Sequence, residues 1–86
     1  MHNILFTFQS THMALKGEKY LKTSGHEIRL IPTPVEIFSE CGFSVEAALS
    51  EEALEELMHN GEWDFSDCYL IAESETRSRI YEKLST

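Results

Sequence analysis

Apolar residues fall along this chain in two alternating rhythms, one of period two and one near 3.6. Ile4-Leu5-Phe6-Thr7-Phe8 is a short apolar run bounded by polar residues, as a buried strand would be. Met13, Ala14, Gly17, Tyr20 and Leu21 then recur at the spacing of one helical face, with Lys16, Lys19 and Lys22 largely outside it. Ser10 or Thr11 can cap that helix, because a side-chain oxygen there accepts an orphan backbone N–H. Ser24-Gly25 ends it, since glycine accepts the left-handed conformation at the exit. Gly17 sits in mid-helix, where it costs about 1 kcal/mol against alanine. Close approach of the helix to the sheet would explain it.

Glu27 to Ile31 alternates and reads as a second strand. Thr33-Pro34-Val35-Glu36 has a capping-box pattern with proline at the first helical position. It predicts a short helix that Gly42 terminates with a positive φ. Phe43, Val45 and Ala47 alternate with Ser44 and Glu46, giving a third strand with one buried face. Ser50 can cap a further helix, with Ala53, Leu54, Leu57 and Met58 inward and Glu51, Glu52, Glu55 and Glu56 toward water; Asn60-Gly61 closes it. Asp67 to Ala72 is a fourth strand. In the tail, Ile80, Tyr81 and Leu84 stand at helical spacing and predict a short helix.

The order β-α-β-β-α-β predicts an α+β, ferredoxin-like domain over residues 1–73, followed by a tail at 74–86. Its four-stranded antiparallel sheet carries both helices on one face. Ile4, Phe6, Phe8, Leu21, Ile28, Leu30, Val45, Leu54, Leu57 and Leu70 are the expected core.

Composition narrows the function. Eighty-six residues make one domain, and fifteen acidic against seven basic residues give a formal net charge of −8. Phosphate backbones and anionic membrane surfaces would be repelled, so neither nucleic acid nor membrane is an expected partner. No positively charged leader precedes an apolar run, and no apolar stretch approaches spanning length. A soluble, cytoplasmic protein is expected. Cys41 and Cys68 form no CxxC, and His2, His12, His26 and His59 lack zinc-ligand spacing. No metal and no bound cofactor are expected.

The predicted connectivity gathers Ser10, Thr11, His12, Cys41 and the segment from His59 to Trp63 at one end of the sheet. Cys41 has two readings there. It packs as a small apolar residue, or it reacts as a thiolate favoured by the nearby start of the first helix. Its place at the end of its own short helix, beside Glu40, opposes the second reading. His12 is a thiolate support or a solvated side chain. Cys68, inside a strand, reads as structural, and Trp63 and Phe65 either cover the core or present a partner surface.

Ser10-Thr11-His12, Ala14-Leu15-Lys16, Glu18-Lys19 and Leu21-Lys22, then Leu30-Ile31-Pro32-Thr33-Pro34, Glu36-Ile37 and Cys41-Gly42, together resemble the selenium/sulfur carrier-like family. The resemblance covers roughly Ile4 to Leu57; Val35 stands where the family pattern has an arginine. It implies a cysteine that carries sulfur or selenium, and that residue maps onto Cys41. The candidate site is then Cys41 as nucleophile, His12 as its support, and Ser10, Thr11, Thr33 and Gly42 as binding residues. The implied role is a shuttle rather than a turnover enzyme. It would sit between a donor, such as a pyridoxal-phosphate cysteine desulfurase, and an acceptor protein. The alternative is a non-catalytic interaction or small-molecule-sensing module in which Cys41 only packs. Exposure of the thiol discriminates the two.

Overall fold

In the computed structural model, which describes residues 2–37, 41–59, 63–76 and 78–84, the first apolar run becomes β1 (His2–Thr7), the middle strand of an antiparallel sheet. It is flanked by β3 (Phe43–Leu49) and β4 (Asp67–Glu73). The edges are β2 (Glu27–Pro32), beside β3, and β5 (Arg79–Lys83), beside β4. A proline at the end of β2 fits an edge strand, whose outer backbone positions need no ladder partner.

Two helices complete the order, α1 (Thr11–Thr23) and α2 (Glu51–His59). Ser10, in extended conformation at φ −151° and ψ 162°, caps α1 by accepting the Met13 N–H at 3.2 Å. At the other end Gly25 adopts φ 87°. Its N–H donates to the Lys22 carbonyl at 3.1 Å and the His26 N–H to the Leu21 carbonyl at 3.2 Å, the paired bonds of a Schellman ending. Ser50 caps α2 by accepting the Ala53 N–H at 3.2 Å.

Register decides which side chains meet. Phe6 lies opposite Val45 and Cys68, and Ile4 opposite Ala47 and Leu70; Ile28 and Leu30 of β2 oppose Ala47 and Val45. These residues share one face. Ala14, Leu21 and Leu57 from the helices join the same cluster, so both helices bury their stripes against it. All ten expected core residues belong to this cluster or pack on it. Gly17 is explained by contact: a Cβ there would come within 2.6 Å of the Phe8 ring.

Three expectations are corrected. The sheet has five strands rather than the four of the ferredoxin-like plan. The expected C-terminal helix is instead β5, which pairs Arg79 with Glu73 and Tyr81 with Ile71. Its apolar spacing fits a helix, but the open edge of β4 offers a row of backbone partners that a five-residue segment satisfies better as a strand. The third correction concerns Thr33–Gly42. No capped helix forms over Thr33–Ile37; there is one turn, closed by the Ile37 N–H donating to the Pro34 carbonyl at 3.0 Å. Gly42 does not have positive φ, which among the described glycines belongs to Gly25. The expected helix stop at Asn60-Gly61 and the neighbour Glu40 lie outside the described residues.

Candidate functional site

The connection from β2 to β3 carries Cys41, and Thr33 ties its two ends together. The ladder reaches the pair Pro32 and Phe43, and the Thr33 N–H extends it by donating to the Gly42 carbonyl at 3.0 Å. The Thr33 hydroxyl then donates to the Cys41 carbonyl at 3.2 Å and lies 2.7 Å from the Ser44 hydroxyl. A hydroxyl has one proton to give. With that proton on the Cys41 carbonyl, Ser44 must be the donor to Thr33. These bonds, not a helix cap, are what the Thr33 side chain makes, and the chain after it forms the single Pro34–Ile37 turn. Val35 at the turn is 96% exposed, while Ile37 is buried.

Among the described residues, the Cys41 sulfur faces polar groups on Phe43 and Thr11. The Phe43 N–H donates to Sγ at 3.4 Å, and the thiol is directed weakly at the Thr11 hydroxyl, 3.8 Å away. Thr11 is the first residue of α1, where free N–H groups leave partial positive charge. So the expected meeting of Cys41 with the start of the first helix does occur. The residue is nonetheless only 2% exposed and belongs to the core cluster.

The other candidates divide. Ser10 is occupied as the α1 cap. Gly42 is exposed, and a Cβ on it would meet nothing within 4 Å. His12 is exposed on α1, and the sulfur contacts described here run to Thr11 and Phe43 rather than to it. His59 is exposed at the end of α2. Trp63 covers the end of the core: its ring meets Phe6 edge-on at 4.9 Å and stacks on Tyr20 at 5.6 Å. Its Nε1 donates to the Leu57 carbonyl at 3.1 Å, satisfying a group left open at the end of α2.

Cys68 is fully buried in β4, opposite Phe6. Burial, and then the neighbouring Asp67 charge, push its thiol up, so it is held as the unreactive thiol. Ser44 was not legible as part of the site. A serine alternating with Phe43 and Val45 reads as solvent-facing, and nothing local reports that it is completely buried.

Among the described residues no three or more His, Cys, Asp or Glu side chains are grouped to hold a metal ion, and no helix is long and apolar enough to cross a membrane. No curated protein and no solved structure matches the chain. A family model does: it aligns with residues 3–70, from β1 into β4, and so takes in Thr11, Thr33 and Cys41. Its description is "Putative Se/S carrier protein-like", and the chain belongs to that family.

Proposed function

We propose that the domain is a cytoplasmic sulfur or selenium carrier whose cargo rides on Cys41. The observation that supports this reading is the setting of Sγ, which faces the Phe43 N–H and the Thr11 hydroxyl at the start of α1. Once the thiol proton leaves, the Thr11 hydroxyl can rotate to donate, so a thiolate would have two donors. Loading would be a displacement. The Cys41 thiolate attacks the terminal sulfur of a donor persulfide, the donor's S–S bond breaks, and the donor cysteine departs as a thiolate. The product is Cys41-S-SH. An acceptor nucleophile then takes the outer sulfur and returns Cys41 to its thiolate; selenium would follow the same course. Because the residue is 2% exposed, its surroundings must open before exchange. That requirement favours a docked protein donor, a cysteine desulfurase, over a small reagent in solution.

The same burial favours a second reading, an interaction or small-molecule-sensing module in which Cys41 is structural. Mass spectrometry after incubation with a desulfurase and cysteine separates the two. A carrier gains about 32 Da, one sulfur atom. Cys41→Ser abolishes the adduct and Cys68→Ser keeps it. No adduct from several desulfurases, with both cysteines slow toward iodoacetamide, assigns Cys41 to the core.

A further inference from the structure

We propose that Thr33 and Ser44 form a hydroxyl relay that positions Cys41, holding the sulfur against Thr11 and the Phe43 N–H and keeping it covered. Three observations carry this. Thr33 binds the Cys41–Gly42 segment twice, by its N–H to the Gly42 carbonyl at 3.0 Å and by its hydroxyl to the Cys41 carbonyl at 3.2 Å. The Thr33 and Ser44 hydroxyls lie 2.7 Å apart, and with Ser44 as the donor the Thr33 proton is left for that carbonyl. And Ser44 is fully buried at the start of β3, so water does not compete for its hydroxyl.

The two bonds hold the two peptides on either side of Gly42, both following the Cys41 Cα. Backbone pairing at Thr33 sets where the strand ladder stops. The hydroxyl fixes the orientation of the Cys41 peptide, and with it the direction in which Cα–Cβ–Sγ leaves the chain. Without the hydroxyl bond that peptide is free to rotate, and Sγ loses its alignment with the Phe43 N–H. Thr33 and Ser44 are therefore positioning residues, which act through the Cys41 carbonyl and touch no cargo. The consequence for sulfur transfer rests on the carrier reading; the positioning itself does not.

Native-state labelling by iodoacetamide, followed residue by residue in the mass spectrometer, tests it. Cys68 is the internal control, because general loosening exposes it as well. Thr33→Val keeps the shape and the backbone N–H but removes the hydroxyl. It is expected to speed Cys41 labelling roughly tenfold relative to Cys68, as loss of one well-placed hydrogen bond would allow. Thr33→Ser restores the hydroxyl and should return the ratio to within about twofold of the parent, given the same bond. Ser44→Ala, which leaves Thr33 intact, should speed Cys41 in the same direction and serves if the valine variant fails to fold. The proposal is overturned if both cysteines accelerate together, if the ratio does not change, or if serine at position 33 behaves like valine. Sulfur loading is scored separately. A ratio that shifts in the variants while the parent never loads sulfur defeats the carrier reading alone, whereas a parent that loads while the variants leave the ratio fixed defeats the relay alone.

Discussion

Arg79 on β5 donates to Glu46 on β3 at 2.8 Å, although β1 and β4 stand between their strands. Three strand spacings amount to about 14 Å, and Arg79 is in register with Glu73 rather than with the row of Glu46. The sheet must therefore twist and curl toward this face to let the two side chains meet. Arg29, on the opposite edge, reaches the same carboxylate at 3.0 Å. One glutamate thus joins both edges of the sheet. Leu5, the register partner of Glu46 on β1, is fully buried on this face away from the helices. Long side chains crossing the face are what is available to cover it.

That arrangement makes stability depend on pH. Burial pushes the Glu46 carboxyl up, but hydrogen bonds and charge from Arg29 and Arg79 outweigh it, and the carboxyl ends below its ordinary value of 4.5. A depressed folded value gives stability that is present above 4.5 and is lost as pH falls through the folded value. Glu46→Gln should cost about 1 kcal/mol at neutral pH, a modest figure because both arginines are partly exposed. Urea unfolding of parent and variant across the acid range checks it. The difference should shrink below pH 4.5, and a difference that stays constant would mean the ion pairs contribute nothing.

Gly17→Ala should reverse the usual sign of its substitution. On an exposed helix the change stabilises by about 1 kcal/mol. Here the new methyl would stand 2.6 Å from the buried Phe8 ring. Overpacking of that kind costs about 1–3 kcal/mol, so the net effect should be destabilising. In a Phe8→Leu background the ring is gone and alanine should become neutral or favourable. Chemical denaturation of the four variants in this cycle measures it, and equal effects in both backgrounds would remove Phe8 as the cause.

Local patterns carried most of this fold into the sequence. The Ser10 and Ser50 caps, the Gly25 exit and the ten core positions are each set by residues within one turn or one strand. The departures have a common physical origin in long-range partners. Thr33 has the residues of a capping box, yet its hydroxyl finds Cys41 and Ser44 across the turn. Ile80, Tyr81 and Leu84 have helical spacing, yet β4 offers an open edge and the Leu84 N–H donates to the Cys68 carbonyl at 2.9 Å. At the site, connectivity was enough to bring Cys41 to Thr11. It could not report burial, which depends on long-range packing against the core cluster.

Glycines 25 and 42 should respond oppositely to alanine. Gly25 holds φ 87°, which a Cβ resists, so Gly25→Ala should cost about 1 kcal/mol or more. Gly42 has no such conformation, and a Cβ there meets nothing within 4 Å. Gly42→Ala should leave stability within about 0.5 kcal/mol of the parent. Urea midpoints of the two variants give the comparison. A large loss at Gly42 would show that the turn needs glycine for a reason other than space or φ.

The two cysteines should open by different routes. Cys68 lies in β4 between β1 and β5, and its carbonyl is held by Leu84. Freeing it means breaking the sheet, and its thiol is pushed up by burial and by Asp67 as well. Cys41 sits before β3 begins, and its described ties run to Thr11, Thr33 and Phe43. Release of a connection costs less than release of a strand, because local openings span free energies from near zero up to the global value. Iodoacetamide labelling of the native protein should therefore modify Cys41 first. Its rate should change little with low urea, since a local opening exposes little new surface, while the Cys68 rate should climb with the slope of global unfolding. Both rates rising together would place Cys41 in the same cooperative unit as the sheet. In that case the thiol is reached only by unfolding, and the carrier reading loses the local motion it requires.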